Sequence, residues 1–242
     1  MIKKLYILFK LGRKLAKSDA LSIFTKFHNP PIGIKILFYL LSLSFSKKDN
    51  SFVNETEGER LSNSLQSMGT TFIKLGQFLA TRPDIIGEKL SKQLESLQDR
   101  LPPFELSKAK EIIKKDLGED NFNSIINLSE PVAAASIAQV HKAQINDNGT
   151  IKDVAIKILR PNIKKIFNEE IDALMLFAFL TESIIKKTKR LKLVEVVYLL
   201  KEITNLEMDL RFEAAAANEY SENTKNDLSL IHISEPTRLS GI

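Results

Sequence analysis

The segment Asn146-Asp147-Asn148-Gly149 constrains the fold more than any other stretch of this chain. Asn and Gly tolerate the positive φ that tight hairpin loops require, so it reads as the turn of an antiparallel pair. Residues 152–159 (KDVAIKIL) alternate with a period of two and read as the returning strand, stopped by Arg160-Pro161. The short-chained stretch Ala133 to Ala143 supplies the partner strand, through Gln139. Elsewhere the apolar residues recur at helical spacing. The expected architecture is therefore helices, a β-hairpin, then helices: an α+β, mainly helical fold without internal repeats.

Local signals place the helices. Thr56 and Glu59 have capping-box spacing ahead of Leu61, Leu65 and Met68, so a helix starts near residue 57. A second helical pattern runs through Phe72, Leu75, Phe78 and Leu79 until Pro83 interrupts it. Another is expected over 86–99, before Leu101-Pro102-Pro103. Ser107 to Leu117 reads as a helix closed by Gly118. Beyond the hairpin, helices are expected over 163–187 and 192–219, the latter supported by the run Ala214 to Ala217.

Composition narrows the chemistry. With 242 residues, 43% of them hydrophobic, the chain can bury a sizeable core. The absence of Cys excludes disulfides, thiolate metal sites and cysteine nucleophiles, and suits a reducing, cytosol-facing location. His28, His141 and His232 are too scattered for a His-rich metal centre, so no metal site is expected. Few aromatics (7%) and no Trp argue against stacking platforms.

The net charge of +5 is divided unevenly, with +9 on residues 1–48 and −4 on the remainder. Such a basic arm suits a polyanion. No nucleic-acid module accompanies it, so an anionic membrane surface is the expected partner and nucleic acid is not. Met1 to Lys17 fits an amphipathic helix lying on lipid, through Ile2, Leu5, Tyr6 and Phe9. The alternative is a solvated helix packed on the domain. Asn29-Pro30-Pro31 breaks the helical stretch, and Ser46 to Asn54 reads as a linker. The apolar run Ile36 to Phe45 has ten residues, short of the roughly 18–20 that span a bilayer.

Four clusters bear on chemistry. In Val154-Ala155-Ile156-Lys157, strand geometry puts Ala155 and Lys157 on one face and Val154, Ile156 and Ile158 on the other. That suits a nucleobase against Ala155 and phosphates against Lys157, as on the third strand of protein kinases. Alone, the tetrapeptide is a weak signal, more often just a strand with an exposed lysine, and it gains force from its context. Upstream, Ala133, Ala134, Ala135 and Ser136 stand where a kinase has its glycine-rich phosphate loop, or else mark close backbone packing. Downstream, Glu207, Asp209 and Glu213 lie in one predicted helix, with Asp209 and Glu213 sharing a face. They are either a solvated acidic face beside Arg211 or the carboxylates that hold the strand lysine, with Glu207 and Glu213 both candidates. In Lys74-Leu75-Gly76-Gln77, Lys74 and Gln77 share a helical face, and Gly76 costs about 1 kcal/mol relative to Ala unless something approaches its backbone.

The motifs FIKLGQFLATRPD (72–84), AAASIAQVH (133–141), VAIK (154–157) and EMDLRFEAA (207–215), in this order, resemble the UbiB family of atypical kinase-like proteins of ubiquinone biosynthesis. The resemblance covers about residues 57–222. It implies an N-terminal helical extension followed by the N-lobe of a protein-kinase-like fold. It further implies that ATP or ADP binds with Mg2+, that Lys157 pairs the phosphates with Glu213 as its helix partner, and that Ala133 to Ser136 form the nucleotide loop. Lys74 and Gln77 match the family's K-x-G-Q motif, which Glu207 and Asp209 of an E-x-D motif engage in a regulatory role. Implied partners are lipid quinone intermediates or quinone-pathway proteins, at the cytoplasmic side of the inner membrane.

Departures from the family pattern are equally legible. No His/Asp catalytic loop and no D-F-G-like segment follow Glu213, so the C-lobe and the magnesium ligands are expected to be missing and the chain inactive alone. Residues 227–242 are expected to be a non-native tail on an N-terminal fragment. The expected divisions are 1–48 (basic arm), 55–128 (helical extension), 129–226 (partial N-lobe) and 227–242 (tail). The competing functional reading is a non-catalytic membrane-surface adaptor with a degenerate kinase-like lobe.

Overall fold

A computed structural model describes residues 2–17, 56–95, 97, 101–147 and 149–224. The expected Pro30-Pro31 break, the apolar run Ile36 to Phe45, the linker Ser46 to Asn54 and the tail 227–242 lie outside the described residues. In chain order the elements are α1 (Ile2–Lys17), α2 (Glu57–Met68), α3 (Thr70–Ala80), α4 (Pro83–Ile86), α5 (Glu88–Leu94), α6 (Leu106–Asn123), β1 (Ile125–Ala134), β2 (Ala138–Asp147), β3 (Thr150–Leu159), α7 (Ile163–Ile184), a 3-10 helix (Lys186–Leu191), α8 (Leu193–Glu207) and α9 (Leu210–Thr224). They form two compact units, Met1–Asp99 with Lys164–Ile203, and Arg100–Ile163 with Thr204–Ile242.

The first unit is helical. The predicted capping box opens α2: Glu59 N–H donates to Thr56 Oγ1 (3.3 Å) and Thr56 N–H to Glu59 Oε2 (2.7 Å). The Thr56 N–H, and after it the Thr56 hydroxyl, favour the charged carboxylate and hold Glu59 below its usual range. Gly69, at φ 105, turns the chain from α2 into α3. Leu61, Leu65, Met68, Phe72, Leu90 and Leu94 then make the core, with Ile7 of α1 and Leu174 of α7 packed on it. Each such buried side chain contributes roughly 1.5–3 kcal/mol relative to exposure. The helix α1 is joined to α7 by Lys3–Glu169 (2.6 Å) and Lys4–Asp172 (2.9 Å). Its other face, with Ile2, Leu5, Tyr6 and Phe9, is exposed.

The helix expected over 86–99 is shorter and differently begun. Pro83 starts the single turn α4, because a first-turn residue needs no hydrogen-bonded N–H. Gly87, at φ 83, then separates α4 from α5.

The close approach expected at Gly76 is made by leucines. A Cβ there would stand 2.5 Å from Leu97 Cδ2 and 2.9 Å from Leu65 Cδ1. Both leucines are buried, at 5% and 4% exposure, and have little room to retreat. Gly76→Ala therefore sets a helix gain of about 1 kcal/mol against overpacking of about 1–3 kcal/mol. A net loss of stability is expected in urea unfolding; a gain would mean that the leucines repack freely.

The second unit is a three-stranded antiparallel sheet in the order β1-β2-β3, covered by α6. The pairing of β2 with β3 runs unbroken from Ala138↔Leu159 to Asp147↔Thr150, on either side of the predicted turn. Gly149 has φ 89, and Asn146 Oδ1 accepts its N–H at 2.8 Å. The strand β1 corrects the expected two-stranded hairpin. Its pairing with β2 shifts three times, between Ile125 and Asn127, between Leu128 and Pro131, and between Pro131 and Ala133. Proline cannot donate to a ladder, and the bulges destroy the two-residue alternation that would reveal a strand. The boundary drawn at 128 and 129 falls inside this strand.

Ala109, Ile113 and Ile158 form the core between α6 and the sheet, with Ile156 and Phe104 beside them. The predicted alternation of β3 follows: Ile156 and Ile158 face this core, whereas Ala155 and Lys157 are exposed. Gly118 (φ 82) interrupts α6 where the helix was expected to close.

The continuous helix expected over 192–219 is broken. The helix α8 ends at Glu207, α9 starts at Leu210, and Met208 at the junction is 2% exposed. Asp209 Oδ1 accepts the Arg211 N–H at 3.2 Å, so Asp209 caps α9 instead of sharing a helical face with Glu213. Glu207 and Glu213 correspondingly sit on different helices.

Candidate nucleotide-binding face

Pairing in the sheet brings β3 beside β2, with Lys157 opposite Val140. Lys157 Nζ donates to both carboxylate oxygens of Glu213 on α9, at 2.9 and 2.7 Å. The choice between Glu207 and Glu213 is thereby decided in favour of Glu213. The two side chains are 36% and 60% exposed. An ion pair so open to water contributes only about 0–1 kcal/mol to stability. Its consequence is positional: it fixes an ammonium group on the exposed face that also carries Ala155.

The alanine segment closes β1 onto β2. Ala133 and Ala134 end β1, and Ala135 N–H donates to Ala138 O at 2.8 Å. Ala133 is exposed, Ala134 and Ala135 are half-buried, and Ser136 is fully buried. None of the four has positive φ, so the connection does not require the freedom of glycine.

Arg160 holds this connection. Its Nε and Nη2 donate to Ala135 O (3.0 and 2.8 Å), its Nη1 to Pro102 O (2.9 Å) and Nη2 also to Leu101 O (3.1 Å). Its backbone N–H donates to Ile137 O at 2.9 Å. One guanidinium thus ties the 101–102 segment to the end of β1. Sequence reasoning took Arg160 only as the residue before a strand-stopping proline. Its available signal was an arginine directly after the apolar pair Ile158-Leu159 that ends the strand.

The strand β2 carries a buried polar network. His141 and Gln139 are 0% and 1% exposed. The Ser129 carbonyl, 2.8 Å from His141 Nδ1, can only accept, so the proton sits on Nδ1. His141 Nε2 then accepts from Gln139 Nε2 at 2.8 Å. Gln139 Oε1 accepts the Phe104 N–H (2.9 Å), and Gln139 Nε2 donates to Phe104 O (3.2 Å). Two polar residues two apart among small apolar ones were the visible sign of this network.

The remaining expected site residues are distributed. Asp209 grips Arg211 through Oδ1 and Nε (2.8 Å), and this bond raises the guanidinium above its ordinary value. Lys74 and Gln77 lie on α3, in the helical unit, both half-buried. Among the described residues, no three His, Cys, Asp or Glu side chains converge as a metal cage. Also among these residues, no helix is long and apolar enough to cross a membrane.

Comparison with known proteins gives the family. Residues 96–234 match the ABC1 atypical kinase-like domain, and the chain belongs to that family. It is similar to the probable protein kinase UbiB of Marinobacter nauticus, with 38% identity over 74% of this chain and 32% of the relative. The corresponding protein of Azotobacter vinelandii is 36% identical over 80% of this chain and 35% of its own length. That of Vibrio cholerae serotype O1 is 32% identical over 95% of this chain and 40% of its own. The chain therefore spans about a third of the length of these curated relatives.

Proposed function

We propose that the sheet unit binds the phosphates of ATP or ADP, and that the protein serves ubiquinone biosynthesis as a UbiB-type atypical kinase or ATPase. The observation that carries this reading is the Lys157–Glu213 pair, with the ammonium group held between both carboxylate oxygens beside exposed Ala155. Lys157 would meet phosphate oxygens, Glu213 would orient it, Ala155 would face the base, and Ala133 to Ser136 would border the phosphates. Mg2+ would accompany the nucleotide, although the described carboxylates do not by themselves compose its cage. Lys74, Gln77, Glu207 and Asp209 take the regulatory role. The setting is the cytoplasmic surface of the inner membrane, with quinone intermediates or quinone-pathway proteins as partners.

A second reading, a non-catalytic membrane-surface adaptor, is favoured by the exposed Ile2, Leu5, Tyr6 and Phe9 of α1. Titration of the 242-residue chain with a fluorescent ATP analogue, with and without Mg2+, separates the two. Saturable binding displaced by ADP is expected, with thermal stabilisation of about 2.7 kcal/mol at a hundredfold excess over Kd. No binding under either condition would leave the adaptor reading.

A further inference from the structure

We propose that the turn joining α7 to α8 is a second docking surface, for an anionic phospholipid membrane, distinct from the basic N-terminal arm. Residues 186–192 read KKTKRLK, five cations without an acid. Their conformation presents the charge outward. Thr188, 6% exposed, turns inward and donates through Oγ1 to Ile185 O at 2.7 Å. The 3-10 helix then leaves Lys186, Lys189 and Arg190 exposed around this anchor. Lys192, at φ 48, reverses the chain into α8 and is held by Glu195 at 3.0 Å. Among the described residues, no carboxylate pairs with Lys186, Lys189 or Arg190.

Apolar side chains flank the cations. Ile184, just before the turn, is 61% exposed, and Tyr198 and Leu199 on α8 are 58% and 44% exposed. Arg190 also borders a cleft walled by Leu191, Val196 and Leu199, whose two carboxylates, Asp84 and Glu195, are paired with Arg82 and Lys192, so an anionic headgroup would meet the Arg190 guanidinium beside apolar surface. Free phosphate would use the cations and leave the apolar residues in water. A lipid surface engages both. The arm's ion pairs involve Glu169 and Asp172, whereas this turn follows Ile184, about 18 Å further along the helix at 1.5 Å per residue.

The test is co-sedimentation of the full chain with phosphatidylcholine vesicles, with and without phosphatidylglycerol. Binding is expected only to the anionic vesicles. The triple variant Lys186→Glu/Lys189→Glu/Arg190→Glu is expected to lose about 100-fold in partitioning, from roughly a fivefold step per cation. The milder Lys186→Gln/Lys189→Gln/Arg190→Gln, checked by thermal melting, decides the matter if charge reversal impairs folding. Unchanged partitioning of that variant, with loss only in Leu5→Glu/Phe9→Glu, would assign membrane contact to α1 and overturn the proposal. Equal competition by inorganic phosphate or by a short oligonucleotide would overturn it as well. ATP-analogue binding by the same variants should match the unmodified chain, which keeps this result separate from the nucleotide reading.

Discussion

Lys157→Ala is expected to weaken ATP and ADP binding by about 10- to 150-fold, the equivalent of the 1.5–3 kcal/mol that a charge-assisted hydrogen bond supplies. It should leave the unfolding midpoint nearly unchanged. The asymmetry follows from exposure. Lys157 and Glu213 are 36% and 60% accessible, and a pair so wetted stabilises the fold by at most about 1 kcal/mol. A phosphate arriving at Nζ gains a fixed cation without paying to organise it. Glu213→Gln should cost less affinity, since the amide still accepts a hydrogen bond and only the negative partner is lost. A double-mutant cycle on analogue binding should give coupling between the two positions. Nucleotide affinity equal to the unmodified chain in Lys157→Ala would remove the basis of the proposed function.

Arg160→Met should have the opposite profile, with a large effect on stability and a secondary one on ligand. It removes four hydrogen bonds to the carbonyls of Leu101, Pro102 and Ala135. Bonds from a charged donor are worth about 1.5–3 kcal/mol each, but they share one side chain and do not add. A total loss of about 3 kcal/mol is expected, read as a lower urea midpoint. Arg160→Lys should recover only part, because an ammonium cannot reproduce the planar fork that reaches both segments. A change within about 0.5 kcal/mol for the Met variant would mean that water replaces the guanidinium at these carbonyls, as surface substitutions usually allow.

Where adjacent residues decide the conformation, the chain was legible. Gly118 breaks α6 at the expected place, although helix resumes beyond it. The Thr56–Glu59 box and the Asn146–Gly149 turn are formed by neighbours, and each occurs where expected. So does the outward placement of Ala155 and Lys157, because a two-residue period needs only one covered face. The misses share another cause. The strand β1 carries Pro131 and three register shifts, so only its pairing with β2 makes it a strand. The break after Glu207 depends on buried Met208 and on Asp209 turning its carboxylate to the Arg211 N–H, neither of which helix propensity records.

The site divides along the same line. Sequence by itself determined which chemistry the exposed face of β3 could offer: a small residue beside a lysine, with two glutamates downstream as possible partners. Only the tertiary structure decided that Glu213 is the partner, that Arg160 clamps the alanine connection, and that Gln139 and His141 are buried and mutually bonded. Periodicity and turn chemistry act between residues a few positions apart, whereas Lys157 and Glu213 are 56 positions apart in the chain. Contacts at that distance exist only once packing of the sheet and helices has made long loop closures worth their entropy.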